Sequence, residues 1–226
     1  MSGLIKNIFV VLAVLQLSIL LHAQSHEYSF EKLSIEEGLS QSSVYSVFQV
    51  SKGFLWAGTA NGLNKYDGYE FTVFKHDPED SNSISSDMIY CITEDKHGNL
   101  WIGTENDLNK YDPVNNKFTR CLSITDSHDL PNSKTIMSVA ADKNGIIWMG
   151  TQGGGLASYN PYKNKVNWYK SNPGGDNNGY GFVRCVRIDN SGKVWLATQG
   201  GLSRYTPETG KFTNYRESFL KQNPSL

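Results

Sequence analysis

The chain has 226 residues, with 21 Lys plus Arg against 22 Asp plus Glu and 12% aromatic side chains. Without a basic excess to neutralise a phosphate backbone, nucleic acid is excluded as the expected partner. The odd count of cysteines (Cys91, Cys121 and Cys185) argues against a full disulfide framework.

The first predicted element is a leader. Lys6 precedes an apolar run from Ile8 to Leu21, broken only by Gln16 and Ser18, and LHAQS then offers small-residue cleavage after Ala23. A positive start, an apolar core and a small exit residue read as a secretory signal peptide over 1–23. The run is shorter than the ~20 apolar residues a membrane span needs. The mature chain is expected to be exported, with a lead-in or closing strand over 24–42.

Four similar units follow. Trp56, Trp101, Trp148 and Trp195 are spaced by 45, 47 and 47 residues, each with a Thr three positions on: Thr59, Thr104, Thr151 and Thr198. Tyr66, Tyr111, Tyr159 and Tyr205 close the repeated pattern. Such a period, made of short β-like segments, reads as all-β propeller blades of four antiparallel strands. Blade 1 is expected over 43–85, blade 2 over 86–132, blade 3 over 133–178, and blade 4 with the start of a next linker over 179–226.

Within the second unit the strands are MIYCITE, NLWIGT, LNKY and KFTRC. DKHGN, DKNGI and DNSGK place Gly in a loop of hairpin length between the first two strands. ANG, QGGG and QGG supply positive φ between the second and third, where the second unit is expected to use Asp107 instead. DPVNNK, NPYKNK and TPETGK set Pro in the last turn. The second strand, LWAG, LWIG, IWMG or VWLA, is apolar on both sides, as in a sheet sandwiched between two others. Each Trp is expected to wedge against the next blade, with the following Gly or Ala making room for it.

These residues resemble a known family. LWIGT, GLNKYDG and the lead-in SVFQVSKGF are similar to the two-component-regulator propeller repeat, and Tyr28 to Gln49 is similar to the usual opening of its sensors. Val50 departs from it, standing where the other units have Asp95, Asp142 and Asp189; so does Ala197, which replaces Gly58, Gly103 and Gly150. The resemblance implies an N-terminal fragment of the periplasmic sensor of a hybrid two-component histidine kinase of the Bacteroidetes type. It implies a glycan or oligosaccharide ligand and control of polysaccharide-utilisation genes through a kinase not present in this chain. Partners would be the remaining blades and kinase modules of a longer polypeptide, with a homo-oligomer as a further option, since four blades are expected to be too few for a closed ring.

Candidate contacts come from comparing units. Counting back from each Trp, positions twelve and nine are uniformly Val or Ile, and position ten is Ser46, Cys91, Ser138 or Cys185. Position eleven varies as Tyr45, Tyr90, Met137 and Arg184, and position eight as Phe48, Thr93, Ala140 and Arg187. Variation inside a uniform repeat points away from packing, so Tyr45, Tyr90, Arg184 and Arg187 are the ligand candidates. Aromatic rings suit a sugar face and Arg an anionic substituent; the competing reading has both Arg reaching to solvent or pairing with an acid of their blade. No catalytic motif, metal-ligand spacing or cofactor fingerprint is present, so no cofactor and no catalytic residue is expected. A secreted glycan-active hydrolase or lyase, and a self-assembling binding or scaffold propeller, remain the competing classes.

Overall fold

The computed structural model describes Gly3 and residues 29–121, 135–169 and 181–215. The chain divides into two compact units, Met1–Lys32 and Leu33–Leu226, and every strand among the described residues lies in the second. The expected signal peptide falls outside the described residues, Gly3 aside, as do parts of the linkers after the second and third blades. No helix among the described residues is long and apolar enough to cross a membrane.

Among the described residues, sixteen strands form four sheets of four. The first contains β1 (Val44–Gln49), β2 (Leu55–Thr59), β3 (Gly62–Tyr66) and β4 (Phe71–Phe74). The second contains β5 (Ile89–Glu94), β6 (Leu100–Thr104), β7 (Leu108–Asp112) and β8 (Lys117–Arg120). The third contains β9 (Ile136–Ala141), β10 (Ile147–Thr151), β11 (Leu156–Asn160) and β12 (Lys165–Tyr169). The fourth contains β13 (Val183–Ile188), β14 (Val194–Thr198), β15 (Gly201–Thr206) and β16 (Lys211–Asn214). Each sheet is an antiparallel meander in chain order, and consecutive blades meet along their first strands, β1 on β5, β5 on β9 and β9 on β13.

The core lies between blades. One apolar cluster joins Trp56 and Leu63 to Ile89, Ile92 and Ile102, a second joins Trp101 and Leu108 to Ile136, Val139 and Met149, and a third joins Trp148 and Leu156 to Val183, Val186 and Leu196. The Trp of each of the first three blades reaches the Tyr of the following blade: Trp56 to Tyr111 at 5.1 Å between ring centroids, Trp101 to Tyr159 at 5.9 Å, and Trp148 to Tyr205 at 5.7 Å. The wedge expected from sequence is therefore present. The room it was expected to use is used by something else. A Cβ on Gly58 would stand 2.7 Å from Ile89 Cγ2, and one on Gly150 2.7 Å from the Val183 carbonyl. Those glycines admit the next blade's first strand rather than the Trp.

The two end blades differ from the middle ones. Ile89, Ile136 and Val183 are buried, but Val44 at the same position is 39% exposed; Val47 is 62% exposed where Ile92, Val139 and Val186 are buried. At the other end Leu202 is 47% exposed, although Leu63, Leu108 and Leu156 are buried. Ala197, in place of the interfacial glycine, lies on that uncovered face. Burying a Val or Leu fully contributes about 1.5–3 kcal/mol, so both end blades forgo stabilisation that each inner interface has.

Turn chemistry follows the sequence with one correction. Thr59 and Thr104 hydroxyls donate to the carbonyls of Gly62 and Asp107, and Thr151 and Thr198 do the same to Gly155 and Gly201, closing the hairpin after each second strand. Asp107 does not take positive φ. Its carboxylate accepts the Leu108 N–H at 2.7 Å and its carbonyl accepts from Thr104, so the loop closes through Asp107's acceptors without a left-handed residue. Positive φ appears instead at Asn116 and Asn164, whose side chains accept from the Tyr111 and Tyr159 hydroxyls.

Candidate functional site

The first strand of each blade carries an irregularity that places the candidates. In β1 Val44 pairs with Thr59 and Ser46 with Gly58, so Tyr45 is the extra residue of a bulge. The same slip makes Tyr90, Met137 and Arg184 the extra residues of β5, β9 and β13. A bulge releases one side chain from the alternation of its strand. The position that varies in sequence is thus the one position that the ladder does not constrain.

Two of the four candidates meet. The rings of Tyr45 and Tyr90 lie 5.7 Å apart at 47°, with Tyr45 52% exposed and Tyr90 half-buried. Burial, with the nearby charge of Glu105, raises the Tyr90 phenol above its ordinary value, so it stays neutral and keeps its hydroxyl as a donor. Arg184 is exposed on the bulge of β13, and Arg187 is exposed with its guanidinium on the Val186 carbonyl at 3.2 Å. Both Arg stand on the fourth blade, away from the first and second blades that carry the tyrosine pair.

Sequence comparison noticed another position without seeing its function. Asp95, Asp142 and Asp189 each follow their first strand and accept the indole N–H of their blade's Trp, at 2.9 Å to Trp101, 3.2 Å to Trp148 and 2.8 Å to Trp195. The other carboxylate oxygen accepts two turn amides, His97 and Asn99 in blade 2, Asn144 and Ile146 in blade 3, Ser191 and Lys193 in blade 4. Burial pushes the Asp95 carboxyl up, but Trp101 and Asn99 outweigh it and hold the group below the usual carboxylate range. The Ser191 hydroxyl and the Trp195 indole hold Asp189 well below it. The signal was the repeated Asp six residues before each Trp, and its absence at Val50.

The cysteines do not form a reactive set. All three are free, and burial pushes the Cys91 and Cys121 thiols up to about 12. Cys91 sits against Gly103 and the Ile136 carbonyl, which accounts for the small residue at that position.

Comparison with known proteins places the repeats. Residues 38–61, 83–106 and 129–153 match the family model "Two component regulator propeller". The protein Histidine kinase P4 of Formosa agariphila is 44% identical over 79 residues, covering 35% of this chain and 6% of that protein. The crystallised extracellular domain described as that of the hybrid two component system BT4673 from B. thetaiotaomicron is 25% identical with a TM-score of 0.70, over 85% of this chain and 28% of its own. Virginiamycin B lyase from Staphylococcus aureus, at 16% identity and a TM-score of 0.59 over 81% of this chain and 58% of its own, shares the fold alone. The chain thus spans 6% of that histidine kinase and 28% of that extracellular domain.

Proposed function

We propose, for a chain whose repeats belong to the two-component regulator propeller family, that it is part of the extracellular sensor of a hybrid two-component system. In this reading it binds a glycan breakdown product and performs no chemistry on it. The change of state passes to a kinase elsewhere on a longer polypeptide, which regulates polysaccharide-utilisation genes. Export by a cleaved leader, and a periplasmic location, belong to the same proposal.

The observation that carries the ligand class is the Tyr45–Tyr90 pair. Two aromatic rings from adjacent blades, set on bulges and partly exposed, form a platform on which a sugar ring can lie. Further blades fit the exposed Val47 and Leu202 faces, although a blade on the Leu202 side must stand back to clear Ala197.

The test is genetic. Deleting the full-length gene is expected to abolish transcriptional induction by one glycan, and complementation with Tyr45→Ala plus Tyr90→Ala is expected to leave that induction weak. Unchanged induction by every glycan the source organism uses would sink the proposal.

A further inference from the structure

Blade 1 keeps the turn that holds a carboxylate in the other three blades but has no carboxylate of its own. The Val50 N–H donates to the Phe54 carbonyl at 3.0 Å and the Gly53 N–H to the Val50 carbonyl at 2.8 Å, as Asp95 does with Asn99 and Gly98. Strand register is also the same, Trp56 opposite Phe48 as Trp101 is opposite Thr93. By that equivalence the Lys52 N–H, the Phe54 N–H and the Trp56 indole N–H converge beside residue 50, which is a valine. Among the described residues none of the three has an acceptor. Trp56 is 3% exposed as a residue, but its indole nitrogen is not sealed off and has no protein acceptor among the described residues.

A cavity of about 200 Å³ opens at this place, at the end of β1 remote from Tyr45. Val50, Lys52, Phe54, Trp56, Lys65 and Glu94 line it, over a floor from blade 2. The Lys65 ammonium lies 4.0 Å over the Phe54 ring. Both Glu94 oxygens are engaged by Ser51, at 2.7 Å from its N–H and 2.9 Å from its hydroxyl. Two lysines against one hydrogen-bonded carboxylate leave the cavity with a cationic excess, and its walls are aromatic and aliphatic.

We propose that this cavity is a binding site for a small carboxylate with a flat or apolar body, whose carboxylate, standing off the Val50 methyls, accepts from the donors that Asp95, Asp142 and Asp189 satisfy in their own blades. The three N–H donors take the anion, the lysines balance its charge, and the Phe54 and Trp56 rings take its body. The volume suits a single ring. The lowered pKa of Asp95 and of Asp189 supports it, because that arrangement of donors favours a carboxylate in its ionised form. This site does not rest on the sensor reading and lies apart from the tyrosine pair.

Trp56 provides the test. In a ¹⁵N–¹H spectrum the five Trp indole N–H signals are resolved, and Trp56 is assigned by its loss in Trp56→Phe. Titration with benzoate or glucuronate is expected to move the Trp56 signal saturably downfield and to leave Trp148 and Trp195 in place. Benzamide and glucose, which lack the carboxylate, are expected not to move it. Val50→Asp supplies the internal carboxylate and is expected to abolish the response; Val50→Thr, isosteric and neutral, is expected to retain it, and Lys65→Met to weaken it several-fold. The unmoved signals report that each variant is folded. Absence of a saturable shift with either acid overturns the proposal, as does an equal shift in Val50→Asp or with the neutral analogues.

Discussion

The indole N–H of Trp101 donates to Asp95 Oδ2 across 2.9 Å, and the same pair recurs as Trp148 with Asp142 and Trp195 with Asp189. Each Asp ties the turn after its first strand to the Trp of its second, so the blade's two inner strands are pinned at the end where the ladder stops. Asp95 is 8% exposed and also accepts from the His97 and Asn99 amides. Asp95→Ala leaves those donors without an acceptor and is expected to cost about 2–3 kcal/mol, since an orphaned buried polar group carries most of its desolvation penalty. Chemical denaturation checks this, with Asp77→Ala on the exposed linker as the comparison; equal midpoints for the two variants would refute it.

The same carboxylates set the response to acid. Asp95 and Asp189 have folded pKa values below their ordinary one, so their contribution to stability is complete above the unfolded Asp value of about 3.9. It is lost as pH falls from there through the lowered folded values. Melting temperature is therefore expected to hold between pH 7 and pH 5 and to drop steeply below pH 4. Asp95→Asn combined with Asp189→Asn is expected to start lower and fall less over the acid limb. Parallel curves for the two proteins would show that other groups carry the acid response.

The interfacial glycines make a paired prediction. In Gly150→Ala the new Cβ meets the Val183 carbonyl at 2.7 Å, backbone that cannot give way cheaply. A loss of about 1–3 kcal/mol is expected from overpacking. Ala197→Gly, at the same repeat position on the face that no blade covers, is expected to change stability by less than about 0.5 kcal/mol beyond its effect on strand propensity. Differential scanning calorimetry of the two variants decides it, and a neutral Gly150→Ala would refute the close approach.

Much of this architecture was legible because the repeat compares the chain with itself. Trp56, Trp101, Trp148 and Trp195 fixed the blade period, and the strands found around them agree with those read from the alternation of turns and apolar runs. The bulge was not legible. Tyr45 and Tyr90 were singled out because their position varies, but that they stand outside the ladder depends on which partner each neighbour takes, and pairing is a tertiary property. Val50 was visible only as a departure. Its consequence required knowing that Asp95 faces Trp101, a contact between residues six apart whose geometry a turn decides. Arg184 and Arg187 were singled out by the same variability and stand exposed on the fourth blade, and variability alone does not separate a contact residue from a solvated one.

The end faces yield the last prediction. Val47 and Leu202 are equivalents of Ile92 and Leu156, so each end presents one half of an interface that the middle blades complete. Complementary halves on opposite ends of one chain make a heterologous contact, which joins copies head to tail. The isolated chain is therefore expected to associate as concentration rises, and sedimentation velocity checks this across a dilution series. Val47→Asp and Leu202→Asp, each placing a charge on one half, are expected to return it to monomers with an unchanged fold. Ile92→Asp, on an interface already filled, is expected to unfold the chain by burying an unpaired charge. If Val47→Asp also unfolds the chain, then the β1 face is covered in solution by this chain's own residues. If the unmodified chain is a monomer at every concentration, the exposed halves do not complement one another, and the Cβ of Ala197 is the first obstacle to remove.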